Sequence, residues 1–202
     1  MSFSLNDFKN NFQGGARPNL FACQLTAPDG SGILNKTDGE RAFSWMAQTA
    51  SIPGTTVGVI EVPYMGRTWK IPGNRTFEEW STTVVNDEDF ALRTMLESWD
   101  DNILGRASNI RNHDSYQNIE GNLRVVQLDR KGSPIREYVF HGAWPSAIGA
   151  IELGWESNDA LETFDVTWTY SWWETHDTKG VIGDVNAFTV EILARVGINL
   201  GG

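Results

Sequence analysis

HGAWPSAIGAIELGWESNDALETFDVTWTYSWWE, from His141 to Glu174, ends in a clean alternation. Phe164, Val166, Trp168, Tyr170 and Trp172 fall on one parity, and Thr163, Asp165, Thr167, Thr169 and Ser171 on the other, the period-two pattern of a strand with one buried face. Each inward ring buries about 150–250 Å², so the strand needs a core and can anchor a sheet. Upstream, Trp144-Pro145-Ser146, Ile148-Gly149 and Leu153-Gly154-Trp155 mix apolar residues with backbone breakers, and Glu156-Ser157-Asn158-Asp159 is polar turn material. The stretch reads as a crooked strand, a tight connection and a long straight strand, which makes the fold mainly β.

The flanking sequence extends this pattern. Short strands are expected at 19–26, 42–48 and 123–128. A hairpin spans 57–71, and a second hairpin turns at Asp129–Pro134. Pro28 to Arg41 reads as a Gly- and Asp-rich loop, Pro72-Gly73-Asn74 as a turn, and 105–121 as a long polar loop. Phe77 and Trp80 lie on opposite parities, which predicts a bulge at Glu78-Glu79 within one strand from Arg75 to Val85. One flanking helix is expected at about 87–101, capped by Asn86. Asp87, Glu88 and Asp89 would face its positive end, and Leu92, Leu96, Trp99 and Ile103 form its apolar stripe. Residues 1–16 form an arm with Phe3, Phe8 and Phe12, whose rings can dock on the same subunit or a neighbour. The β domain runs 17–174, and 175–202 is an extension whose apolar positions fit a helix or a strand equally well.

At 202 residues one domain can bury a sizeable core. The 16 basic against 26 acidic residues give a net charge of −10, which opposes tight binding of nucleic acid through its phosphates. Cys23 is the single cysteine, so there is neither a disulfide framework nor a Cys-based metal cage. The longest unbroken apolar run, Leu20 to Cys23, is far below the roughly 18 residues that span a bilayer, and a soluble chain with no membrane partner is expected.

Catalytic motifs are absent: no G-x-S-x-G, P-loop, H-E-x-x-H or C-x-x-C occurs. His113-Asp114 and His176-Asp177 read as solvated loop residues, His141 as structural, and Trp80, Trp99 and Trp168 as core. No enzyme, cofactor or metal is expected. A strand-rich acidic domain with one helix, an aromatic arm, a long loop and an apolar tail, and no such site, suits self-association better than turnover.

Four blocks in this order resemble the tail tube proteins of contractile-tailed bacteriophages. They are Ala16-Arg17-Pro18-Asn19-Leu20-Phe21; Gly73-Asn74-Arg75-Thr76-Phe77-Glu78-Glu79-Trp80; Val85-Asn86-Asp87-Glu88; and Gly142-Ala143-Trp144-Pro145 through Trp155-Glu156-Ser157-Asn158 to Glu162-Thr163-Phe164-Asp165-Val166. The resemblance implies a β-sandwich or barrel-like subunit, six of which close into a ring, with rings stacked into the inner tail tube that conducts DNA into the host. It implies the tail sheath, baseplate and tail terminator proteins as partners, with the tape measure protein and genomic DNA transiently in the lumen. It places the protein in the virion tail, and in the host cytoplasm during assembly. Within that frame Phe3, Phe8, Phe12, Arg17, Pro53, Gly54, Tyr64 and Met65 are candidates for ring-to-ring contact. Glu78, Glu79, Thr163, Asp165, Thr167 and Thr169 are candidates for the lumen. The tube of a phage-tail-like bacteriocin or type VI machine is the nearer alternative, and a carbohydrate- or peptide-binding β-sandwich the remoter one.

Overall fold

The computed structural model describes residues 5–12, 15–29, 32–111 and 115–177. His113-Asp114, Phe3 and the extension beyond Asp177 lie outside the described residues. Cα neighbours group the chain into two units. The larger is Cys23–Val125 with Tyr138–Thr175, and the smaller takes the described residues of Met1–Ala22, of Val126–Glu137 and of the stretch from His176.

The main sheet orders its strands β1 (Phe21–Thr26), β6 (Gly121–Leu128), β7 (Pro134–Ile148), β8 (Thr163–Thr169), β5 (Trp80–Val85) and β2 (Ala47–Ala50). A further strand, β9 (Trp172–Asp177), also pairs with β7. A separate two-stranded antiparallel hairpin joins β3 (Thr56–Tyr64) to β4 (Arg67–Thr76). The expectation of a mainly β fold holds.

In the larger unit the expected inward parity of β8 is buried: Phe164, Val166, Trp168 and then Tyr170. Two helices join this core, α2 (Lys36–Met46) and α3 (Ala91–Ile103). The α3 stripe follows the expected one: Leu92, Leu96 and Trp99 are buried, Met95 joins them, and Ile103 at the end is half-buried. Trp168 meets Phe43 of α2 edge-on at 5.8 Å and Trp99 of α3 at 6.0 Å. Trp80, Trp99 and Trp168 are all 2% exposed or less. Each indole N–H donates to an acceptor: Trp80 to the Ser51 carbonyl at 2.7 Å, Trp99 to the Ile119 carbonyl at 2.7 Å, and Trp168 to the Thr82 hydroxyl at 3.1 Å. These rings therefore bury their area without stranding a donor.

Cys23 is 1% exposed, and burial pushes its thiol up to about 12. Because the thiolate is the nucleophile, the folded protein should give no reaction with Ellman's reagent at about pH 8. The single cysteine should then titrate after unfolding in guanidinium. Rapid labelling of the folded chain would show that the β1 edge opens.

Five local expectations are corrected. Residues 36–46 form α2 rather than the end of a loop and the start of a strand. Phe43 gives α2 a buried anchor, and Gly39 lets it approach α3 so closely that a Cβ there would sit 2.6 Å from Met95 Cβ. Helix α3 starts at Ala91 after Phe90 in a left-handed conformation, not at Asn86. The Asn86 amide donates instead to Glu162 at 2.9 Å, and Asp87 to Asp89 belong to the preceding turn. Pro72-Gly73-Asn74 lies inside β4, a hairpin edge where the missing proline donor is tolerated. Glu78-Glu79 marks no bulge, because Phe77 to Glu79 carry the chain out of the hairpin and into β5 of the other sheet. Trp172 is 45% exposed, because the strand breaks at Tyr170-Ser171 and the ring stacks on His141 at 4.1 Å. Gly142, at φ +64°, forms the matching kink in β7, and a Cβ there would lie 2.8 Å from Ser171 Oγ.

In the smaller unit, α1 (Leu5–Asn11) stacks Phe8 on Phe12 at 5.3 Å, with both rings exposed. Gln127 donates to the Arg17 and Leu20 carbonyls at 2.7 Å, and Asp129 receives the Lys131 and Ser133 amides in the β6–β7 turn. That turn is the expected one.

Candidate assembly surfaces

The outward parity of β8 carries Thr163, Asp165, Thr167 and Thr169, and register extends it across neighbouring strands. Thr83 of β5 lies opposite Asp165 and, on its other side, opposite Thr49 of β2; Ser81 faces Thr167, and Val85 faces Thr163. Directly opposed residues share a face, so across β2, β5 and β8 this face is a field of small, mostly hydroxyl side chains, bordered on β7 by Trp144 opposite Thr169. The Thr83 hydroxyl donates to Asp165 at 2.7 Å, and Glu79 accepts from Thr169 at 3.5 Å, which ties one of the two expected acids to this face. Glu78 is exposed beside it, and Tyr170 is pushed up first by burial and then by the Glu78 charge. None of the outward residues named on β2, β5 and β8 is Lys or Arg.

The β3–β4 hairpin is of the opposite character. Every residue of β3 is exposed. Val59 is 61% exposed, Ile60 53%, Trp69 65% and Met65 88%. The two faces of an antiparallel ribbon normally divide into dry and wet; here Val57, Val59 and Ile60, Val62 put apolar groups on both. The tip is a turn with Met65 at φ 43° and Gly66 at φ 81° as its central residues, the two positive values of a type I′ turn.

The remaining sequence candidates scatter. Phe8, Phe12 and Arg17 are exposed in the smaller unit, and Tyr64 and Met65 sit at the hairpin tip. Pro53 is buried in its own subunit, while the carbonyl of exposed Gly54 accepts from Trp173 at 3.3 Å. His141 contacts Glu174 at 3.0 Å as well as the Trp172 ring. Among the described residues, no three His, Cys, Asp or Glu side chains converge as a metal site would require, and no helix is long and apolar enough to cross a membrane.

The surfaces that stand out are the hydroxyl face across β2, β5 and β8 and the exposed β3–β4 hairpin. The chain is 28% identical over 173 residues to the tail tube protein gp19 of Enterobacteria phage T4, covering 84% of this chain and 99% of the relative. It is 26% identical over 166 residues to the tail tube protein of Serratia phage KSP90, covering 80% and 90%. The fold is similar to a chain in the cryo-EM structure of the extended sheath–tube complex of an extracellular contractile injection system, with a TM-score of 0.59 and 13% identity, covering 88% of this chain and 100% of that one. The family described as phage tail tube protein matches residues 16–176, four-fifths of the sequence, and the chain belongs to that family.

Proposed function

We propose that six copies join the edges of their main sheets into a ring, that rings stack into a hollow tube, and that the tube conducts a phage genome out of the virion. The observation that carries this reading is the β3–β4 hairpin. A lone two-stranded ribbon is marginal in water, and one exposing Val57, Val59, Ile60, Val62, Tyr64 and Trp69 needs a cover that the described residues of its own subunit do not supply. In a tube family that cover is another copy. Closing a ring removes strand edges that otherwise invite uncontrolled pairing, and a head-to-tail contact between rings extends without limit. The arm, with its exposed Phe8–Phe12 pair, is a second inter-ring candidate.

The hydroxyl face carrying Asp165 and Glu79 is our candidate for the lumen wall. DNA slides past such a wall, because binding through phosphates requires cations that release counterions, and the outward residues named on β2, β5 and β8 include none. The outer wall would meet the sheath, and the tube's ends the baseplate and terminator, with the tape measure inside before DNA passes. The named sequence relatives come from phages, which favours a genome conduit over a protein-injecting tube. The protein would act in the virion tail after assembly in the host cytoplasm.

Negative-stain microscopy of the purified chain tests the assembly: hollow tubes built of six-fold rings are expected, and monomers at high concentration overturn it. The lumen assignment has its own test. Asp165→Lys should give tubes of ordinary shape that retain short fluorescent duplex DNA at low salt and release it by roughly 0.2 M salt, with no retention by wild-type tubes. Equal retention by both would move Asp165 off the inner wall.

A further inference from the structure

Resting on the self-assembly reading, we propose that the hairpin tip of one copy, Tyr64 to Arg67, plugs a cleft beside α2 of another copy. The cleft, of about 450 Å³, lies between α2 and the turn that leads into α3. Its apolar lining includes Trp45 and Met46, and its rim carries Asp38, Asp87 and Asp89 against a single base, Arg41. That volume admits one or two large side chains but no strand, and the rim charge selects a cationic visitor.

The hairpin matches both requirements. Residues 56–76 contain Arg67, Lys70 and Arg75 against Glu61, a local charge of +2 that leaves −12 on the rest of the −10 chain. Any approach of this hairpin to another copy is therefore attractive, and most so where acids cluster. At about 3.3 Å per residue, nine-residue β3 carries the tip about 30 Å from its base, far enough to reach a neighbour. Met65 supplies an independent pointer. Turn chemistry favours Asn, Asp or Gly at the first central position of a type I′ turn, yet an 88% exposed methionine occupies it with positive φ. Backbone strain and exposed apolar surface coincide at a residue that folding alone does not require. A flexible thioether is well suited to fill an irregular apolar pocket. With Met65 against Trp45 and Met46, Arg67 stands at the rim to meet Asp87 and Asp89. Knob and hole lie on different parts of the surface, so the contact is heterologous and propagates.

Two variants test the docking in the full-length chain. Met65→Asn suits the turn and removes the plug; it should raise the critical concentration for tube formation about ten-fold while thermal stability of the free subunit holds or improves. Arg67→Glu should raise it by a similar factor, about ten-fold, and adding Asp89→Arg in the same chain should recover most of the loss. Assembly of either single variant at the wild-type concentration, or an Arg67→Glu/Asp89→Arg chain no better than Arg67→Glu, overturns the docking while wild-type tubes leave the tube reading intact. A wild-type chain that forms no tubes sinks both.

Discussion

Replacing Val57–Arg75 by an Asn-Gly turn yields a folded subunit that forms no tubes. The graft is geometrically simple because Thr56 and Thr76 are already paired across the ladder, and a two-residue type I′ turn closes such a pair. Little of the core leaves with it, since β3 is exposed along its whole length and β4 is half-buried only at Ile71 and Gly73. The melting temperature of the free subunit should therefore move by no more than about 3 °C. Assembly should move far more. Covering only two of the large apolar side chains is worth about 3–6 kcal/mol, so the critical concentration should rise more than about 100-fold, equivalent to at least about 2.7 kcal/mol. Sedimentation against protein concentration reads both numbers. Tubes at the ordinary concentration would assign ring stacking to some other surface.

The largest effect on stability is expected at Trp168. Its ring is fully buried where the sheet, α2 and α3 meet, against Phe43 and Trp99, and no neighbour can collapse into its place without leaving another element. Trp168→Ala should lower the unfolding free energy by about 3–5 kcal/mol, a large part of the typical 5–15 kcal/mol total. At about 2–4 °C per kcal/mol for a chain of this size, the melting temperature should fall by roughly 10 °C. Thr82→Val isolates the polar part of the same contact. It keeps the volume and strands the indole N–H, for a loss of about 1–3 kcal/mol. The two substitutions together should lose less than their sum, because without the indole the Thr82 hydroxyl has nothing to satisfy. Additive losses in urea titrations would show that the hydrogen bond contributes nothing.

Both predictions rest on features that were unequally legible in the sequence. The β8 alternation and the α3 stripe declare themselves because their periods are local, and the positions they mark, Phe164, Val166, Trp168, Leu92, Leu96 and Trp99, are buried. Helix α2 hides because Asp38 and Gly39 carry loop chemistry, and the reason for a glycine there is Met95, far along the chain. The break at Ser171 is equally remote, set by the kink at Gly142. Asp87 and Asp89 looked like partners of a helix dipole; with α3 starting at Ala91 they line a cleft instead. The hairpin's strands could be read from β-branched residues, but no local pattern shows that both of its faces are left uncovered.

The placement of the indoles also equips the protein with two sets of optical reporters. Trp80, Trp99 and Trp168 sit sealed, whereas Trp155 is fully solvated and Trp69 is 65% exposed on the hairpin. Acrylamide should quench the wet set and spare the sealed one, denaturant should red-shift the sealed set, and polymerisation should blue-shift Trp69. Emission spectra can thus follow folding and filament growth separately, in one cuvette and without a label.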